Sequence, residues 1–258
     1  MTGSVSANAA VAPRARIFAL IGGLLAFLVL IALGSWQVQR LHWKEGLLAE
    51  IDQRIHSKPL PLADVIQRFT QTQDVDYVPV TVTGLFDYSK EQYFFATHNG
   101  ATGYFVYTPF LPQGDAEVAN YNAVLVNRGF IPYERKDPAS RMPSVVAGPI
   151  TITGLARNPL GEKPSWVVPD NDPVKNIYYW KDITLMARQA GIEGPGLIPF
   201  FIDADATPNP GGLPIGGVTM VDLPNSHLQY AVTWFGLAAA LAAVLGVWLW
   251  RGRAGAVN

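Results

Sequence analysis

Ile17–Trp36 reads IFALIGGLLAFLVLIALGSW and Ala231–Trp250 reads AVTWFGLAAALAAVLGVWLW, each twenty residues without an ionisable side chain. A helix rises about 1.5 Å per residue, so each run matches a hydrocarbon core of roughly 30 Å. A surface helix of that length in a soluble protein carries a polar stripe, and neither run has one. Charged residues make up 15% of the 258-residue chain, against about 25% in an ordinary soluble domain. The two runs account for the deficit. The fold class expected is a membrane protein with a transmembrane α-helix at each end and an extracytoplasmic α+β domain, mostly antiparallel β, between them.

The flanks set the orientation. Arg14 and Arg16 precede the first run, and Arg251 and Arg253 follow the second. Lys and Arg accumulate on the cytoplasmic side, so both termini read as cytoplasmic. Arg40 and Lys44 on the opposite side argue weakly against this, but a long loop is translocated largely regardless of its charge. A secretory signal has a shorter apolar run, roughly 7 to 15 residues, before a small-residue cleavage site. Here the run continues through Gly34-Ser35-Trp36 into Gln-Val-Gln-Arg, which favours an uncleaved anchor. Trp36 with Trp43, and Trp248 with Trp250, fit interfacial aromatic belts.

The organisation expected is a disordered cytoplasmic tail over 1–13, a first span over 14–36, a periplasmic β-rich domain over 37–224, a second span over 225–250 and a cytoplasmic tail over 251–258. Small residues on the spans allow close helix approach: Gly22 and Ala26 on the first, and either Gly236, Ala240 and Ala243 or Ala238, Ala242 and Gly246 on the second. The chain has no cysteine, which excludes disulfides, thiolate metal sites and CxxC redox chemistry. A net charge of −1 leaves no electrostatic footprint for nucleic acid.

Between the runs the hydrophobic period changes. Leu41, Leu47, Leu48 and Ile51 extend the first helix beyond the membrane towards Ile55, and Lys58-Pro59-Leu60-Pro61 stops it. A short helix is expected over Leu62–Phe69. Val78–Phe86 alternates apolar and hydroxyl residues as a strand does. Tyr93–Thr97 and Gly103–Phe110 read as a hairpin about His98-Asn99-Gly100, since Asn-Gly favours the required turn. Ala123–Phe130, Ile150–Leu155, Ile177–Trp180 and Pro199–Asp203 complete the strands. Asp182 is placed to cap a helix over Ile183–Ala190 that ends at Gly191. Ile150–Leu155 echoes Val80–Leu85, as a duplication or as two similar edge strands.

The four histidines are His42, His56, His98 and His227. None has metal-ligand spacing with another, and HExxH, GxSxG and P-loop signatures are absent; no nucleophile is marked, and no enzymatic activity is expected. His227 is distinguished by position, because Asn225-Ser226-His227-Leu228-Gln229-Tyr230 leads directly into the second span. With Asn225 capping, His227, Tyr230, Ala231 and Trp234 recur at i, i+3, i+4 and i+7. An imidazole beside aromatic side chains at the edge of hydrocarbon suits axial ligation of haem, with Arg40 or Lys44 available for a propionate. The alternative is an interfacial histidine bonded to headgroups or protein. Arg128, in Asn127-Arg128-Gly129, serves either partner binding or an internal ion pair.

Taken in order, Leu33-Gly34-Ser35-Trp36-Gln37 with Arg40-Leu41 and Trp43-Lys44, the Val80–Phe86 strand, Val126-Asn127-Arg128-Gly129-Phe130-Ile131-Pro132, Trp180-Lys181-Asp182, and NSHLQYAVTWFGLA over 225–238 resemble the Surfeit locus protein 1 family. Phe130 departs from the Trp that often follows Asn-Arg-Gly there. The resemblance implies a non-enzymatic assembly factor for haem-copper cytochrome c oxidase in the bacterial inner membrane, or in the mitochondrial one. It would bind haem a and assist its insertion into subunit 1, with the haem a synthesis machinery and the lipid membrane as further partners. His227 is then the implied metal ligand, with Trp234, Tyr230, Arg40 and Trp36 completing the cofactor site. The alternatives are a scaffold that stabilises subunit 1 without handling haem, and the same role for a quinol oxidase.

Overall fold

Both apolar runs are helical in the computed structural model, which describes residues 13–114, 120–192, 194–219 and 225–254. Helix α1 spans Pro13–Ile55 without interruption. Its 43 residues extend roughly 65 Å, about twice the hydrocarbon thickness, so the helix continues well past any membrane exit near Trp36. The terminal helix spans His227–Ala254. Both are long and apolar enough to cross a membrane. The tail expected over 1–13 falls outside the described residues except for Pro13, which opens α1. The chain divides into two compact units, one of residues 1–49 with 222–258 and one of residues 50–221.

In the helical unit, α1 keeps reduced exposure at Leu20, Gly23, Phe27, Leu30, Gly34, Gln37, Leu41, Lys44 and Leu48. These positions alternate three and four residues apart. The terminal helix does the same at His227, Ala231, Trp234, Ala238, Leu241 and Leu245. That spacing is the seam of a heptad pair. Gly34 meets the Phe235 ring, Gly23 meets Leu245, and Gln37 meets His227, so the helices run antiparallel. A Cβ at Gly34 would fall 2.6 Å from the Phe235 ring. Of the small residues singled out by sequence, only Ala238 lies in the seam; Gly22, Ala26, Gly236, Ala240, Ala242, Ala243 and Gly246 do not. The contact uses Gly23, Gly34, Ala231 and Ala238, which fall on the seam's alternating three-four spacing.

The second unit is a barrel. Its strands are β1 Leu60–Pro61, β2 Pro79–Phe86, β3 Gln92–His98, β4 Ala101–Pro112, β5 Ala123–Pro132, β6 Ile150–Arg157, β7 Ile177–Tyr178 and β8 Leu197–Ala204. Pairing runs β2-β6-β8-β5-β4, and β4 returns to β2 through Phe86↔Phe110, Leu85↔Leu111 and Gly84↔Pro112. Five strands therefore close a ring in which only β5 and β8 are parallel. This is the connectivity of the small Greek-key barrels called OB folds. The first half of β4 pairs with β3, which carries β7 at its far edge.

Helix α2, Leu62–Thr72, contributes Leu62, Val65 and Ile66 to the barrel core beside Val80, Val82, Phe110, Val124, Val126, Phe200 and Ile202. A second apolar layer lies outside the barrel, where Met186 of α3 (Ile183–Gln189) packs with Leu125, Tyr107, Tyr178 and Phe201. β5 is thus covered on both faces, which is why its sequence is a continuous apolar run rather than an alternation. The echo strands β2 and β6 are not edges. They are neighbours, with Thr83 facing Thr151 at 2.7 Å between hydroxyls, so the shared hydroxyl pattern is one of matched cross-strand pairs.

Candidate functional site

At the start of the terminal helix, His227 is half-buried and its Nδ1 lies 2.8 Å from Oε1 of Gln37 on α1. Gln37 is 9% exposed, an amide between the apolar seam positions Gly34 and Leu41. An amide oxygen only accepts, so this contact requires the imidazole proton on Nδ1 and leaves the lone pair on Nε2. A histidine that binds a metal usually donates its other N–H to such an acceptor. The donor set therefore fits an axial haem ligand.

Trp234 shares the seam with His227, half-buried. Tyr230 is 53% exposed and Trp36 51% exposed, both beside the seam rather than in it. Arg40 is exposed, with its guanidinium 4.5 Å from the Trp43 ring centroid. Among the described residues no hydrogen bond, ion pair or ring contact joins His227 to Trp234, Tyr230, Trp36 or Arg40. Asn225 does not provide the expected cap: its Oδ1 is buried with no hydrogen-bond partner among the described residues. Gln37 is not singled out by sequence reasoning, because its contact with His227 joins residues 190 apart in the chain.

The other polar feature turns inward. Arg128 is 2% exposed, and its Nη1 donates to Glu91 Oε1 at 2.8 Å while Nη2 donates to the Ser144 carbonyl at 2.8 Å. Arg141, 4% exposed, donates to both Glu91 oxygens and to Tyr93 Oη. Burial pulls the Arg128 guanidinium below its ordinary pKa against the attraction of Glu91, whereas Arg141, burial notwithstanding, is held above its own by the hydrogen bonds and charge of Glu91. Asn127 Nδ2 donates to Asp203 Oδ1 at 3.0 Å, and its Oδ1 accepts the Gly129 N–H at 3.0 Å. The Asn-Arg-Gly run is consumed by internal bonds. Of its two sequence readings, the internal ion pair is the one found.

A model of the SURF1 family matches residues 24–239. The chain belongs to the SURF1 family. It is 38% identical to Surfeit locus protein 1 of Rattus norvegicus over 227 residues, covering 81% of this chain and 68% of the relative. It is 39% identical to the Homo sapiens protein of that name over 225 residues, covering 81% and 70%. A SURF1-like protein of Monosiga brevicollis is 32% identical over 243 residues, covering 88% and 85%. The matched span includes both Gln37 and His227.

Proposed function

We propose that this chain acts in cytochrome oxidase assembly, as SURF1 family membership implies, by holding haem a at the His227 end of its helix pair and presenting it to oxidase subunit 1. The observation that carries this reading is the 2.8 Å contact between His227 Nδ1 and Gln37 Oε1. Haem, when bound, would supply an iron that accepts a nitrogen ligand and a flat apolar ring bearing two carboxylates.

The residues divide the work. His227 offers Nε2 as ligand in its neutral form. Trp234 and Tyr230 supply aromatic surface at the edge of the hydrocarbon, with Trp36 on the facing helix. Arg40 supplies a planar cation for a carboxylate, and its stacking on Trp43 keeps that cation at the helix surface. A carrier must release its cargo, and a histidine nitrogen would hold haem by a bond that can be exchanged. A periplasmic placement of the barrel follows from the charge of the flanks and belongs to the same proposal.

The scaffold reading without haem would rest on the β domain, to whose surface Asn127 and Arg128, at 3% and 2% exposure, contribute little. The test is complementation. In cells lacking this chain, haem a per subunit 1 in isolated membranes should fall and be restored by the wild type, but not by His227→Ala. Full restoration by His227→Ala would contradict the proposed site.

A further inference from the structure

Gln37 sits in the helix seam with 9% exposure, and among the described residues His227 is its only hydrogen-bond partner. Burying an amide among apolar side chains is unfavourable unless its polar atoms are bonded. The seam positions one heptad away on α1 are Leu30 and Lys44, and those three or four residues away are Gly34 and Leu41. Leucine at position 37 would extend that packing. A glutamine therefore needs a reason, and its oxygen points to one. Facing Nδ1, it admits only the imidazole protonated there; an imidazole protonated on Nε2 has its lone pair on Nδ1, turned to Gln37, and none at Nε2 to offer a metal.

We propose that Gln37 is a positioning residue that selects the Nδ1–H tautomer of His227 and so keeps Nε2 open as the haem ligand. This role rests on the haem reading given above. Gln37 does not touch the ligand; it acts through His227. The competing account is an interhelical tie, in which the same bond only fastens α1 to the terminal helix.

The full chain, purified in detergent micelles with 15N-labelled histidine and titrated with ferric protoporphyrin IX, separates the two accounts. Ligand-free wild type should show His227 protonated at Nδ1 and bare at Nε2. Gln37→Ala should lose that preference, weaken porphyrin binding about tenfold or more and raise the haem reduction potential. Gln37→Glu, a stronger acceptor, should retain the tautomer and lower the potential below that of the wild type. In a His227→Ala background, Gln37→Ala should have no further effect on binding.

Thermal destabilisation by Gln37→Ala with unchanged tautomer, affinity and potential would leave only the tie and overturn the proposal. An equal loss of affinity in the His227→Ala background would also overturn it. Failure of the wild type to bind the porphyrin would remove the haem reading and this role with it. A ligand-free His227 protonated at Nε2 would remove the role of Gln37 alone.

Discussion

Arg128 Nη1 and Glu91 Oε1 lie 2.8 Å apart with 2% and 4% of their side chains exposed, and Arg141 holds the same carboxylate from its other side. Glu91 ends the link from β2 to β3, Arg128 lies on β5 and Arg141 in the 3-10 segment Pro138–Ser144. One carboxylate thus fastens three stretches of chain. Removing it leaves two buried guanidinium groups without a counter-charge. Glu91→Ala should cost about 3–5 kcal/mol, read by denaturant unfolding, with no direct effect on residues of the helix seam.

Gly129 follows Arg128 with φ +125°, and a Cβ there would fall 2.0 Å from the Ile215 carbonyl oxygen. The close approach lets Phe130 and Ile215 exchange two backbone hydrogen bonds of 2.8 Å. Gly129→Ala should therefore destabilise by about 2 kcal/mol or more. Gly100, at φ +81° with open space around its Cβ position, provides the control. Gly100→Ala meets only the backbone preference and should cost about 1 kcal/mol. Paired thermal melts check the difference.

Asp74 gives the barrel unit an acid-sensitive contact. Burial disfavours its charge, but Asn158 Nδ2 at 3.0 Å, the Asp76 N–H at 3.1 Å and Arg54 Nη1 at 2.9 Å together hold its carboxyl below the ordinary value of 3.8. A pKa lower in the folded than in the unfolded state contributes stability above the unfolded value, and that contribution is lost as pH falls through the folded one. Asp74→Asn should be less stable than the wild type near neutrality and lose less between about pH 5 and pH 2. Melting temperatures across that window test the sign.

Two glycines of α1 separate the seam from the exposed face of the helix. Gly34→Val drives a branched side chain into the Phe235 ring, whereas Gly22→Val enters open space. The first should lower the unfolding temperature in micelles, followed by tryptophan fluorescence, and the second should leave it unchanged.

Much of this architecture was legible because its signals are periodic. The uncharged runs gave both terminal helices, the alternating hydroxyls gave β2 and β6, and Asp182 caps α3 through Leu185 N–H as its position indicated. Closure of the barrel was not legible, since the return of β4 to β2 depends on a three-residue register between Phe110 and Pro112, which no local pattern encodes. Nor was the fate of Arg128, whose partner Glu91 lies 37 residues earlier. At the candidate site, His227 stood out by its position at a span entrance. Gln37 did not, because its role appears only when α1 and the terminal helix are set side by side.

The central claim is that His227 holds haem a. Its most direct test is the absorption spectrum of the full chain purified after co-expression with the enzymes of haem a synthesis. The wild type should carry a Soret band and a reduced-state spectrum of haem a, and His227→Ala should lose most of both while remaining folded. A wild-type protein purified without a Soret band would contradict the account, and an unchanged spectrum in His227→Ala would contradict its choice of ligand.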